Sequence, residues 1–322
     1  IRLSLVGSEM CIRDRSEPYI HHFPDGNSTI ARKLVCRLIP DLVSGNSLEN
    51  LITAKLDYEL LDDPRNDVSV RLNSTVINVQ NNKSAGGTVT VSYVRDNQLE
   101  KVSASKCILA CNSNVIPFIC PELPDKQKEA LAFQVKVPIL YTNVAVKSWE
   151  AWKNLGIGAM VCPGSYHIVS MLDFPVTYGN YEFSRNEREP IVIHMERFPH
   201  SYGSNLSARE QYKLGRYELL TTPFETIERN VREQLESSLS EGGFNAAKDI
   251  LGITVNRWSH GYSYWYNPLF DPIYDDYNDS RYPHIIGRKK YGNITIANAD
   301  SAANAMLESA IEEAYRAVSE LI

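Results

Sequence analysis

A chain of 322 residues with 43% apolar and 22% charged side chains is long enough to bury one large α/β unit or two domains. Its net charge of -6 gives no basic stripe, which argues against nucleic acid and anionic membrane as partners and leaves a small molecule as the expected ligand. No stretch approaches the ~20 continuous apolar residues of a transmembrane helix. The six cysteines (Cys11, Cys36, Cys107, Cys111, Cys120, Cys162) form no C-x-x-C pair and lie outside ligand spacing of any histidine, so no metal site is expected.

Residues 1–15, "IRLSLVGSEMCIRDR", carry charge and a short apolar run without a signal-peptide cleavage region. "SLVGSEMCIRDR" resembles translated library-adapter sequence, so this segment is read as non-native and the protein is expected to continue upstream. A Pro-Asp-Gly turn, Pro24 to Gly26, then meets a helix start, with Asn27, Ser28 and Thr29 as candidate caps. Ile30, Leu34, Val35 and Leu38 fall at helical spacing, and Pro40 ends the helix.

A polar connection follows, and from residue 68 to 110 the period changes to two. "VSVRLNSTVINVQ", "TVTVSYVRDNQ" and "EKVSASKCILAC" read as three strands, with Cys107 and Cys111 as buried thiols. Residues 114–133 read as a loop and a short helix. "VPILYTNVAV", "YHIVSMLDF" and "PIVIHMERF" predict an antiparallel sheet, and residues 207–240 a long amphipathic helix stopped by "EGGFN". "DILGITVNRW" is a further strand and "RWSHGYSYWYNPLFDPIYDDY" an aromatic loop. "GNITIANAD" is a last strand before a final helix, "SAANAMLESAIEEAYRAVSELI".

The chain contains no G-x-G-x-x-G; "GIGAMV" at 156 lacks the third glycine, so the unit that cradles a pyrophosphate is absent. "ITIANADSAANAM" is instead a strand, a small-residue turn with an acid, and a helix start, an arrangement that favours electron-rich groups. Simple capping by Asp300 or Ser301 explains the same residues equally well.

The order of these segments resembles FAD-dependent amine oxidases over residues 19–322. The succession is a turn-helix, the strand "STVINV", a hairpin, "CILACN", a substrate-like sheet, a Trp-rich aromatic loop and the terminal strand-acid-helix. "HFPDGN", "CPELPDKQKEAL" and "NRWSHGYSYWYNPL" resemble most the bacterial spermidine dehydrogenase branch. The resemblance implies a mixed α/β (α+β) flavoprotein fold of the FAD/NAD(P)-binding, amine-oxidase type, lacking its N-terminal βαβ unit. Residues 16–125 and 255–322 would form a discontinuous, partial FAD-binding domain, and residues 126–254 a substrate domain with a mixed or antiparallel sheet.

It further implies roles for single residues. Gly26, Asn27, Ser28 and Thr29 would approach the isoalloxazine ring, and Val76 the adenine. Ala110, Cys111 and Asn112 would pass close to the dinucleotide. Asp300, with Ser301 beside it, would lie near the ribityl and pyrophosphate, and Leu307 under the pyrimidine edge. Lys136 is the candidate for the lysine that holds water near flavin N5. The family's aromatic cage departs from pattern here, with Met306 at one wall and Ser263 in one register of the other, which leaves Tyr262 or Tyr264 and Trp258 to supply it.

The implied reaction is FAD-dependent oxidation of a CH–NH bond, with hydride passing to flavin N5, the imine hydrolysed by water, and an electron acceptor or oxygen reoxidising the flavin. The branch is also described with haem, for which no motif is present. Aromatic walls favour a neutral amine by desolvating its ammonium, and the distal ammonium of a polyamine such as spermidine needs a carboxylate. Strand alternation puts His167, Val169, Met171 and Asp173 on one strand face and His194 and Glu196 on another, so Asp173 and Glu196 are the candidates, with His21 and His22 beside the turn. The rivals are a flavin-dependent desaturase of an apolar substrate and a chain that is non-catalytic without the glycine-rich unit. Location in periplasm or cytoplasm is left open.

Overall fold

In a computed structural model, residues 26–45, 47–82, 87–174, 177, 181–201 and 203–322 are described. His21 and His22 lie outside them. The chain divides into two compact units, Ile1–Arg71 with Pro175–Phe183, and Leu72–Phe174 with Ser184–Ile322.

In the first unit Gly26 sits at φ +73°, a left-handed conformation that glycine adopts without cost, and it leads into α1 (Ser28–Leu38). Asn27 occupies the N-cap position but makes no side-chain cap bond, contrary to expectation. Its φ and ψ are already helical (-64°, -12°), so the side chain is not placed to reach back to the first turn, and Thr29 N donates to Gly26 O instead at 3.2 Å. The polar connection hides α2 (Leu48–Thr53), which begins with a capping box between Ser47 and Asn50. Ile39, Leu42 and Leu61 are buried together beneath these turns.

The second unit begins with an antiparallel meander of β1 (Thr75–Asn82), β2 (Thr88–Arg95) and β3 (Gln98–Ala104). The third expected strand divides: the chain breaks at Ser105–Lys106, and β4 (Cys107–Leu109) leaves the meander for another sheet. Cys111, expected to be buried, is exposed just past it, while Cys107 is half-buried and Cys120 buried. Two short helices, α3 (Ile116–Ile119) and α4 (Asp125–Phe133), follow.

The expected antiparallel sheet forms from five strands. β5 (Val137–Val146) leads to α5 (Glu150–Leu155), β6 (Ala159–Val161), β7 (Val169–Asp173) and β8 (Ile191–Arg197). The long helix of the sequence reading is two, α6 (Ala208–Thr221) and α7 (Phe224–Leu239), because Pro223 cannot donate an N–H to continue the first and opens the second. After α8 (Ala246–Asp249), β9 (Ile250–Tyr262) completes the spatial order β6-β7-β8-β5-β9. β6 falls in the "GIGAMV" stretch, too short and too glycine-rich to read as a strand.

Period-two alternation gives this sheet one dry and one open face. Leu140, Val144, Ile193 and Met195 are fully buried against Ile227, Val231, Leu235 and Leu239, the four-residue stripe of α7, with Trp152 beside them. Tyr141 and Asn143 of β5, His194 and Glu196 of β8, and Val169 and Met171 of β7 alternate with these and are half-buried on the other face.

The chain then runs through α9 (Pro283–Gly287) to β10 (Ile294–Ile296), which pairs in parallel with β4, Ile294 opposite Cys107 and Ile296 opposite Leu109. The expected final helix from residue 301 is interrupted. A 3₁₀ turn at Ala299–Ala302 ends with Ala303 at φ +46°, and α10 (Leu307–Ser319) starts only after it. That left-handed residue turns the chain before the helix can continue.

Candidate functional site

Both parallel strands end at one place, where a polar core has formed. Asn298, just past β10, donates through Nδ2 to Cys111 O at 2.5 Å, and its Oδ1 accepts from Ser301 N and Ser301 Oγ, each at 2.8 Å. Thus Asn298, rather than Asp300 or Ser301, caps the turn. The Asp300 carboxylate turns inward instead, where its Oδ2 accepts from Ser113 N at 3.0 Å and its Oδ1 stands 2.5 Å from Lys136 Nζ. Lys136 also donates to Ser263 Oγ at 3.1 Å.

Burial makes this arrangement costly to leave unpaired. Asp300 is 0% and Lys136 8% exposed, so neither charge is solvated by bulk water and each depends on the other. In the sequence Lys136 is only a candidate implied by the resemblance; the fold brings it, from just before β5, to the acid after β10. Ser263, which departs from the expected cage residue, is the hydroxyl that fixes Lys136.

An ion network ties α10 to the same place. Arg288 Nη1 bonds Glu313 Oε1 at 2.5 Å and Ser301 O at 3.2 Å. Arg316 Nε bonds Glu313 Oε2 at 2.9 Å and its Nη2 donates to Ile296 O. Burial raises the Glu313 pKa against the pull of these arginines. Met306 provides no side-chain cap to α10, so the first-turn N–H groups at Leu307 are left for another acceptor.

His260, which sequence reading passed over, lies near this core. Burial, then the charges of Arg216 and Lys136, lower its pKa, with Asp300 opposing them. Its Nε2 is 3.4 Å from Arg216 Nη1.

The two candidate tyrosines have different surroundings. Tyr262, opposite Val137, holds its hydroxyl 2.7 Å from that of Tyr141 on the open face. Tyr264 is 2% exposed and its hydroxyl donates to Asp271, inside a cluster with Tyr266, Tyr282 and Phe133. Trp258, opposite Ile139, is exposed.

On the open face the register aligns the remaining candidates. Tyr141 lies opposite Glu196, and Asn143 opposite His194; Glu196 lies opposite Val169, His194 opposite Met171, and Val192 opposite Asp173. Asp173 and Glu196 therefore share one continuous face, Asp173 at its far end. His167 leaves this face: it precedes β7, is 0% exposed, and places its Nε2 3.0 Å from Thr142 Oγ1 on the dry side. Of the other expected residues, Val76 on β1 and Ala110 after β4 are exposed, Asn112 is half-buried, and Gly26, Asn27, Ser28 and Thr29 belong to the first unit.

No protein-family model matches the chain, and neither does any curated protein. Among solved structures it is similar to cyclohexylamine oxidase from Brevibacterium oxydans IH-35A, at 12% identity and a TM-score of 0.51, over 76% of this chain and 47% of that one. It also matches an A394C mutant of putrescine oxidase from work on cofactor-binding redesign, at 13% identity and a TM-score of 0.49, over 77% of this chain and 48% of that one. The chain spans about half the length of the structures it matches. The first likeness gives the fold: the chain shares, in part, the mixed α/β fold of that oxidase.

Proposed function

We propose that this chain is part of an FAD-dependent oxidoreductase that oxidises an amine, a polyamine such as spermidine, to an imine that water hydrolyses. The observation that carries this reading is the buried Lys136–Asp300 pair, at the ends of two parallel strands where α/β folds take their ligands, on the same unit as an open sheet face bearing Tyr262 and Glu196.

The residues present fit the cofactor. The start of α10 at Leu307, which Met306 does not cap, the exposed Ala110 and the backbone of Cys111 and Asn112 would border a dinucleotide, with Asp300, Ser301 and Ala303 buried behind them. Val76 completes the set we assign to it on the second unit. FAD, when bound, supplies a two-electron acceptor for hydride.

The chain's own residues prepare the amine. Tyr262, held by Tyr141, and Trp258 give aromatic faces that attract a cation and then disfavour its charged form as water leaves. Lys136, fixed by Asp300 and Ser263, is placed to hold a water by a further N–H. Glu196 receives a second ammonium, with Asp173 as the more distant carboxylate, and Met306 borders the helix start. Tyr262 rather than Tyr264 is assigned to the cage, since the Tyr264 hydroxyl is occupied by Asp271. The polar open face disfavours an apolar substrate and hence a desaturase.

The test is turnover of spermidine, putrescine and a monoamine by the FAD-loaded protein. Spermidine is expected to be the preferred substrate by kcat/KM; equal rates on all three would remove the polyamine assignment, and no turnover of any would remove amine oxidation.

A further inference from the structure

Three tyrosines, Tyr264, Tyr266 and Tyr282, are buried side by side in the chain that follows β9. Their rings succeed one another at centroid distances of 6.3 Å, from Tyr264 to Tyr266, and 4.7 Å, from Tyr266 to Tyr282. From Tyr282 the series continues to half-buried Tyr274 at 4.7 Å and to exposed Tyr277 at 5.8 Å. At the inner end Tyr264 follows Ser263, the hydroxyl that fixes Lys136. A run of aromatic rings thus leads, within the second unit, from the buried Lys136–Asp300 pair to the surface. Packing accounts for rings in contact; the hydroxyls are arranged for something more.

Tyr264 donates to the Asp271 carboxylate, which also accepts from Asn267 N at 2.8 Å and faces Arg209 at 3.9 Å. Tyr266 Oη lies 2.9 Å from His284 Nδ1 and already accepts the His284 backbone N–H at 3.1 Å, so its own proton is directed to the ring nitrogen. The Gln134 amide, at 3.4 Å, is the other group beside this hydroxyl. Burial raises the pKa of both phenols, and burial first, then Arg288, lowers that of His284 to about 4. At neutral pH each hydroxyl therefore keeps its proton and has a base one hydrogen bond away. Tyr282 differs. Its hydroxyl bonds the Tyr274 backbone, donating to the carbonyl at 3.2 Å and accepting the N–H at 2.7 Å, and a carbonyl is no base.

We propose that Tyr264 and Tyr266 form a redox-active pair that draws oxidising equivalents out of the buried polar core and releases them at the surface through Tyr282, Tyr274 and Tyr277. The oxidant is of the one-electron class stronger than a phenoxyl radical, such as a radical derived from peroxide. It takes one electron from the phenol and is reduced, the phenolic proton moves to the Asp271 carboxylate or to His284 Nδ1, and a neutral phenoxyl radical remains. An oxidised phenol is a far stronger acid than imidazolium, so the proton passes even to a ring whose basicity burial has reduced. When the radical moves from Tyr264 to Tyr266, Tyr264 regains an electron from Tyr266 and its proton from Asp271, while Tyr266 gives its proton to His284. Tyr282, which lacks a base, is a bridge between resting places. Tyr277 then gives an electron inward and a proton to solvent, and a thiol in solution restores both. The proposal stands apart from the amine reading.

The test is photo-oxidation of the whole chain by a ruthenium(III) tris-bipyridine complex, which is too large to enter the fold, followed by electron paramagnetic resonance of the frozen products. Tyrosyl radicals at the surface vanish by coupling to one another, whereas a buried one persists. Wild type is expected to hold a long-lived neutral tyrosyl signal. Tyr264→Phe combined with Tyr266→Phe should lose it, and Tyr315→Phe, at an exposed position of α10, should keep it. Tyr264→Phe combined with His284→Gln keeps the Tyr266 ring but removes its base. It is expected to lose the signal as well, and it decides the matter if the first double variant does not fold. Only short-lived radicals in wild type, a long-lived one that survives in either double variant, or its loss in Tyr315→Phe would overturn the proposal.

Discussion

Lys136 and Asp300 show what a single buried charge demands. With each almost fully withdrawn from water and 2.5 Å from the other, Lys136→Met leaves an unpaired carboxylate and is expected to cost about 3–5 kcal/mol of stability. The double variant Lys136→Met with Asp300→Asn should recover much of that loss, and urea unfolding of the four proteins measures it. The buried histidines give a pH signature. Burial lowers His167 to about 3 and His284 to about 4 from an ordinary 6.5, so both stay neutral in the fold while the unfolded chain takes up protons first. Stability is therefore full above pH 6.5 and is lost progressively as pH falls towards these values. Thermal unfolding followed from neutral to acid pH should show that decline, and His284→Gln, if it folds, a shallower one.

Elements were more legible than their ends. The strand-like run "VPILYTNVAV" predicts β5 to the residue, and the amphipathic stretch 207–240 predicts helix, whose buried face proves to be the stripe of Ile227, Val231, Leu235 and Leu239. Leu235→Ala in that stripe is expected to cost about 2–5 kcal/mol, read as a lower denaturation midpoint. What the sequence concealed depended on tertiary partners. "EKVSASKCILAC" is one run of strand-forming residues, yet β4 is claimed by a strand far along the chain, Ile294 opposite Cys107. The turn at Ala299–Ala302 is likewise set by Asn298 bridging to Cys111, not by local propensity. Asn298→Ala removes that cap and bridge and is expected to destabilise by about 0.5–2 kcal/mol, measurable by urea unfolding. The Lys136 centre was only half legible, because spacing cannot reveal that a residue before β5 will meet an acid after β10.

At the scale of the molecule, the second unit carries two features that the proposed chemistry needs on one scaffold. Parallel strands β4 and β10 end in a polar core, where we place the dinucleotide, and the five-stranded sheet has a polar, aromatic face, where we place the amine. The fold is shared with cyclohexylamine oxidase over 76% of the chain. The central claim is that this face delivers an amine to a flavin. Its most direct test is anaerobic mixing of the FAD-loaded protein with spermidine while the oxidised flavin absorbance is recorded. Bleaching by spermidine, slowed in Glu196→Gln, is the expected result; an absorbance unchanged by spermidine, putrescine and a monoamine alike would contradict it.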